Sequence, residues 1–156
     1  MKFDTGISKT RRGSQRVSTP KGVVVKTKGG NVRLEWNKDF VSSWDGTFSK
    51  TQMFIDSESL RLSKPYLPMQ SGMLQKLGIL GTEVGSGEVT YLGPYARYLY
   101  YGKVMVGRAP KKLTDRNLTF HGAPQRGAFW FDRMKADKKD QILRGAAKIS
   151  KKESKT

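Results

Sequence analysis

Residues 37–65 read NKDFVSSWDGTFSKTQMFIDSESLRLSKP, and this stretch decides how the chain folds. Large apolar residues recur in it at spacings of four, four, seven and seven, at Phe40, Trp44, Phe48, Ile55 and Leu62. That spacing predicts one face of a helix that begins after Asn37 and ends before Pro65. Phe54 and Leu60 lie off this face, so we expect the helix to bury a second side against a neighbour.

Strand-like segments flank the predicted helix on both sides. Val23–Val25 and Val32–Trp36 are rich in β-branched or alternating residues around a turn, which predicts a hairpin. Leu77–Val84 and Val89–Leu92 predict a second hairpin, and Tyr95–Gly102 predicts a further strand. A last helix is expected over residues 126–149. These elements predict an α+β fold, in which an antiparallel β-sheet of about four to five strands packs against a long helix and a C-terminal helix.

Charge divides the chain into three parts. The formal net charge is +17, and residues 31–107 contribute little of it, with eight bases and seven acids. Residues 1–30 hold eight bases and one acid, and residues 108–156 hold fourteen bases and five acids. We therefore predict a flexible basic arm over 1–21, a single domain over 22–149 with a long irregular loop at 103–125, and a charged tail over 150–156. Such basic extensions favour contact with DNA or with acidic proteins.

Residue types that carry catalysis are sparse. There is no cysteine, and the one histidine, His121, has no obvious partner for acid–base or metal chemistry. Asp56 and Glu58 are two residues apart on the predicted helix and point to different faces. No phosphate-binding loop is present. We therefore expect no enzymatic activity, no cofactor and no bound metal. A nuclease, which would need clustered carboxylates or a second histidine, is the enzymatic alternative.

The run of tyrosines between Tyr95 and Tyr101 allows two interpretations. Aromatic side chains beside Arg97 and Lys103 are typical of proteins that stack nucleic-acid bases. A strand with aromatics on both faces instead fits a sheet that packs against its own helix and against a neighbouring subunit, and tyrosine is enriched at interfaces. We favour the second interpretation. The residues expected in packing or in an interface are Phe54, Leu60, Tyr95, Tyr98, Tyr100, Tyr101 and Trp130.

Three motifs in the second half of the chain resemble a known family. KPYLPMQSGML at 64–74 resembles the "PYVPxxTGxL" stretch of the minor capsid proteins of long-tailed phages. GPYARYLYYGK at 93–103 resembles their "pYAxxxYYG" segment, and APQRGAFWFDRMK at 123–135 resembles their closing "PxAxxxWFxxAK" helix. Met134 stands where that helix usually has a small residue. The motifs occur in the family's order, and the basic arm at 1–21 lies outside them.

The resemblance implies a structural virion protein rather than a free enzyme. The wider family includes tail-completion and head–tail joining proteins, so it implies a ring subunit, typically sixfold, made in the host cytoplasm and placed in the virion neck between portal and tail. Its partners would be copies of itself, neighbouring neck, portal-side and tail proteins, and the DNA that passes through. The residues we expect to meet DNA or acidic partners are Arg11, Arg12, Arg16, Lys111, Lys112 and Arg116. A free-standing basic nucleic-acid-binding protein is the alternative function.

Overall fold

The described part of the chain folds into two long helices and eight shorter elements. The computed structural model describes residues 1–5, 24–27, 30–33, 35–108, 111–122 and 124–153. In chain order the elements are β1 (Lys2–Asp4), β2 (Val24–Thr27), β3 (Gly30–Arg33), α1 (Phe40–Ser63), α2 (Met73–Gly81), β4 (Glu88–Thr90), α3 (Ala96–Tyr101), β5 (Lys103–Val106), β6 (Lys112–Asn117) and α4 (Trp130–Glu153). No helix in these described ranges is long and apolar enough to cross a bilayer.

The long helices α1 and α4 pack against each other in antiparallel orientation. Lys50, near the middle of α1, pairs with Glu153 at the end of α4. Farther along, Phe54 lies against Gly145, where even an added Cβ would overlap its ring. The helix predicted between Asn37 and Pro65 is confirmed, and α4 begins and ends four residues later than expected for 126–149.

The predicted sheet of four to five strands is wrong. The described strands pair only in twos, all antiparallel: β1 with β4, β2 with β3, and β5 with β6. Two segments predicted as strands are the helices α2 and α3. Their buried residues lie four apart, Leu74 with Gly78 and Ala96 with Tyr100, which is a helical spacing. Propensity alone does not predict these helices, since α2 contains two glycines and α3 contains three tyrosines, so the burial of one face decides.

The first residues of the chain belong to the core rather than to a flexible arm. Phe3 lies opposite Val89 in the β1–β4 ladder, and both side chains are buried. The pairing of β1 with β4 is extended by Met1, which exchanges backbone hydrogen bonds of 2.7 and 2.8 Å with Tyr91. The predicted arm is therefore wrong for residues 1–5, and residues 6–21 lie outside the described part of the chain. The predicted hairpin of 77–84 with 89–92 is wrong as well, because β4 pairs with β1.

Two further predictions concern the hairpins. The first predicted hairpin is observed as β2 and β3, with Val24 opposite Arg33, but its second strand is Gly30–Arg33 rather than the predicted Val32–Trp36. The loop predicted over 103–125 instead contains a second hairpin, β5–β6, with Val106 opposite Lys112. β6 reads KLTDRN and is largely exposed. Because neither of its faces is apolar, the alternation that normally reveals a strand is missing.

A buried carboxylate joins α1 to the loop before β4. Asp56 is fully buried in α1, and its Oδ2 accepts hydrogen bonds from the backbone N–H groups of Gly85 and Gly87, at 2.8 and 3.1 Å. Its Oδ1 accepts from Thr5 Oγ1 at 2.5 Å and from Gln52 Nε2 at 2.8 Å. Four donors thus replace the water that a buried carboxylate loses. Asp56 therefore fixes β1, α1 and the 85–87 turn together.

Candidate interaction surfaces

The three motifs that carry the family resemblance meet in one place. Tyr66, from the first motif, donates from its hydroxyl to Asp137 on α4 at 2.7 Å, and its carbonyl accepts from Gly127 N–H at 3.2 Å. Tyr66 and Leu67 are both buried. Burial and the Asp137 carboxylate raise the pKa of Tyr66 above its ordinary value, so this hydroxyl stays protonated and donates.

Tyr100, from the second motif, also contacts the third motif and α4. Tyr100 donates from its hydroxyl to Asp132, and its carbonyl accepts from Phe129 N–H at 2.8 Å. Its ring meets that of Trp130 edge to face, with centroids 5.0 Å apart. Burial, and then the acceptor Asp132, raise the pKa of Tyr100. Of the residues predicted for packing or an interface, Tyr100 and Trp130 therefore lie in the core.

The remaining predicted packing residues divide into two groups. Phe54 and Leu60 are half-buried and pack against the core of their own chain. Tyr95 and Tyr101 are exposed, by 61% and 44%, and Tyr98 is half-buried. The structure thus places the outward face of α3, rather than two faces of a strand, at the surface.

A cleft opens between α3 and the β5–β6 hairpin. We call it the tyrosine cleft; its volume is about 700 Å³ and it is lined by Gly93, Pro94, Arg97, Tyr98, Tyr101, Met105, Lys111 and Leu113. Lys111 Nζ lies 6.0 Å from the ring centroid of Tyr95, at the upper limit of a cation–π contact. Leu113 is 62% exposed. The cleft therefore presents aromatic, aliphatic and cationic groups together.

The cations at this cleft have no anionic partner in the described residues. Arg97, Lys111, Lys112 and Arg116 are exposed, and the ion pairs of the described chain involve none of them. Lys111, Lys112 and Arg116 are the predicted contacts that the structure brings together, on and beside β6. Arg11, Arg12 and Arg16 lie outside the described residues.

A second exposed surface was only partly predicted. Trp36, Phe40, Trp44 and Phe48 form what we call the aromatic ladder, with successive ring centroids 5.4, 5.8 and 5.4 Å apart. Trp36 is 41% and Trp44 37% exposed. The predicted apolar face is buried only where it continues to Ile55 and Leu62. The ladder precedes Lys50, which pairs with Glu153, the last residue of α4.

A third apolar surface lies on the α2 side of α3. A groove of about 550 Å³ runs between the 68–74 loop and residues 118–121, with Tyr95 and Leu99 in its wall. Leu80 on α2 is 78% exposed. His121 is an exposed residue in the wall of this groove. Within the described residues, no group of three or more histidine or acidic side chains is placed to hold a metal ion.

Comparison with known proteins adds no relative. The chain matches no protein-family model, and neither a curated protein nor a solved structure matches it. What the chain does is therefore inferred from its surfaces and from the resemblance carried by residues 64–135.

Proposed function

We propose that this chain is a non-enzymatic structural subunit of the neck of a long-tailed phage. It is a minor capsid or tail-completion protein that forms a ring joining head to tail around the DNA channel. The observation that carries the proposal is the presence of two different exposed aromatic surfaces, the aromatic ladder and the tyrosine cleft, on one small chain. Monomeric proteins rarely expose large apolar patches without a partner.

The placement of these surfaces suits a ring. The aromatic ladder is at the beginning of α1. The helix α3 lies near the other end of α1: Tyr100 of α3 and Tyr91 both contact Trp130, and Tyr91 forms a hydrogen bond with Ser63, the last residue of α1. From Trp44 to Leu62 the helix rises about 27 Å at 1.5 Å per residue. A ring repeats one heterologous contact between two different patches until it closes. Patches at opposite ends of a helix meet that requirement.

The polar groups of the core support a structural role. Asp132 and Asp137 accept hydrogen bonds from the hydroxyls of Tyr100 and Tyr66, and Asp56 accepts four hydrogen bonds. Ser63 bonds the hydroxyl of Tyr91 at 2.8 Å. These carboxylates and hydroxyls hold elements to one another. Acid–base catalysis would need them aimed at a substrate instead.

The basic surface suits a protein that lies near DNA. On α4, Asp132, Asp137 and Glu153 are engaged by partners within the chain, while Lys135, Lys139 and Lys148 are exposed. Together with the cations of β6 they create a positive field that attracts phosphate groups without reading base sequence. We therefore expect weak, sequence-independent binding of DNA by the isolated subunit.

A complementation experiment tests the proposed function. Disrupting the gene in a phage that encodes this chain is expected to give DNA-filled heads and separate, finished tails in electron micrographs. A plasmid copy of the intact gene should restore joined particles, and a frameshifted copy should not. Joined, infectious particles formed in the absence of the chain would contradict the proposal.

The tyrosine cleft also favours a second candidate, a free-standing nucleic-acid-binding protein. Arg97 and Lys111 lie among tyrosines there, as in proteins that stack single-stranded bases. That function predicts tight binding of single-stranded DNA by the purified chain, falling steeply as salt rises. It also predicts a large loss of affinity in a Tyr98→Ala, Tyr101→Ala variant. The neck function predicts weak binding that these tyrosines barely affect.

A further inference from the structure

We propose that the aromatic ladder of one copy docks into the tyrosine cleft of the next copy. This contact, repeated head to tail, is the interface that closes the ring, and the inference rests on the proposed function. The two surfaces stand at opposite ends of α1, so the ladder of a chain cannot reach its own cleft. The contact is therefore heterologous, which is the type that generates rings.

The ladder has the composition of an interface centre. Its two tryptophans are each more than a third exposed, although each ring also touches a phenylalanine of the same ladder. These neighbours hold the tryptophans in place before binding, which lowers the entropy lost on association. Tryptophan is among the residues that most often dominate binding energy, particularly when it enters a desolvated pocket.

The cleft offers complementary chemistry. Its volume of about 700 Å³ lies in the range of pockets that enclose compact aromatic ligands. Tyr101 and Leu113 supply exposed apolar surface, and Arg97 supplies a guanidinium group. Arginine stacks on indole rings more favourably than on other aromatic rings, so a tryptophan edge or face fits this lining.

Charge selects a second copy of the chain as the occupant. Asp39, on the ladder, is exposed and joins no ion pair of the described residues, in a chain whose net charge is +17. The described residues that line the cleft include two bases, Arg97 and Lys111, and no acid. Two such basic chains repel each other in most orientations. The approach of Asp39 on the ladder to Arg97 and Lys111 in the cleft is the exception, and charge complementarity of this kind sets orientation and partner choice.

Two half-blocked variants test this contact. Trp44→Glu disables the ladder and leaves the cleft intact, while the double variant Arg97→Glu, Lys111→Glu disables the cleft and leaves the ladder intact. Leu80→Glu, on the exposed face of α2, is the matched control because it lies outside both surfaces. Circular dichroism verifies that each variant is folded, and sedimentation velocity measures its assembly.

We expect the wild-type chain and Leu80→Glu to assemble to the same extent. Each half-blocked variant should associate at least about thirtyfold more weakly, the minimum for loss of a dominant interface residue. An equimolar mixture of the two half-blocked variants should form a one-to-one pair that grows no further, because only one intact ladder and one intact cleft remain.

Three results would overturn the inference. They are assembly of either half-blocked variant at the wild-type affinity, failure of the mixture to pair, and a wild-type chain that stays monomeric at every concentration. These three results are independent of the outcome of the complementation experiment. If the gene is required for joining while the half-blocked variants assemble normally, the neck function stands and a different surface builds the ring.

Discussion

The ring of Phe3 stacks on the ring of Phe131, with centroids 4.2 Å apart and planes inclined by 15°. Phe3 also meets Tyr91 edge to face and lies 5.1 Å from the ring centroid of Tyr100. The third residue of the chain therefore contacts β4, α3 and α4 at once. The hydrophobic core depends on the N-terminal strand, which pairs with a segment more than eighty residues away.

Replacing Phe3 by alanine tests this dependence. We expect Phe3→Ala to lower the free energy of unfolding by about 3–5 kcal/mol, the usual cost of removing a buried phenylalanine. Lys2→Ala is the matched control, because Lys2 is exposed and its pair with Glu88 lies at the surface. We expect that control to change stability by at most about 1 kcal/mol. Urea unfolding measures both, and equal effects would show that β1 is not part of the core.

Asp56 provides a second test, on the 85–87 turn. Replacing Asp56 by alanine leaves buried backbone N–H groups at Gly85 and Gly87 without an acceptor. The expected loss is about 3 kcal/mol or more, since each unsatisfied buried donor costs roughly 1–3 kcal/mol. Asp140→Ala, at an exposed position of α4, should stay within about 0.5 kcal/mol of the wild type. If the two variants unfold at the same urea concentration, Asp56 does not hold the turn.

Two helical glycines should respond to alanine with opposite signs. A Cβ at Gly145 would overlap the ring of Phe54, so Gly145→Ala is expected to destabilise by about 1–3 kcal/mol. At Gly46 no atom lies near the added Cβ, so Gly46→Ala should stabilise α1 by roughly 0.5–1 kcal/mol. Thermal unfolding at low protein concentration compares the two. A stabilising Gly145→Ala would contradict the close packing of α1 on α4.

The burial of Tyr91 leads us to expect that the protein loses stability in alkali. Burial raises its pKa from 10 to about 12, against a smaller opposite effect of its hydrogen bond with Ser63. Because the folded state holds the neutral phenol, this contribution is complete below pH 10 and is lost as the pH rises toward 12. Linkage gives a loss of about 1 kcal/mol by pH 11. The difference in unfolding free energy between the wild type and Tyr91→Phe, measured from pH 9 to pH 11, should shrink accordingly. A constant difference would show that Tyr91 titrates normally.

The long helices could be predicted from the sequence because their period is sustained over many turns. The segments at 73–81 and 96–101 could not, because each spans so few turns that helical and strand spacings both fit. The Tyr95–Tyr101 run has aromatics at every phase, and only the contact of Tyr100 with Trp130 shows which of them face inward. β1 was missed because its partner is distant along the chain and a three-residue strand has no period of its own.

The candidate surfaces could be predicted only in part for a related reason. Lys111, Lys112 and Arg116 were expected to contact anions, but the position of Lys111 in one cleft with Tyr98 and Tyr101 depends on the hairpin β5–β6, which the polar sequence of β6 conceals. The ladder residues share a helical phase with the core residues Ile55 and Leu62. Phase alone cannot show which of these residues are buried, since that depends on how far the two helices overlap.

Cryo-electron microscopy of an intact particle tests the central claim most directly. The chain is proposed to satisfy its exposed aromatic surfaces with copies of itself between head and tail. We expect density for a closed ring of this chain at the neck, with Trp44 of each copy within contact distance of Tyr101 of the next. Purified particles that contain no copy of the chain, or that carry it as isolated monomers, would contradict the account.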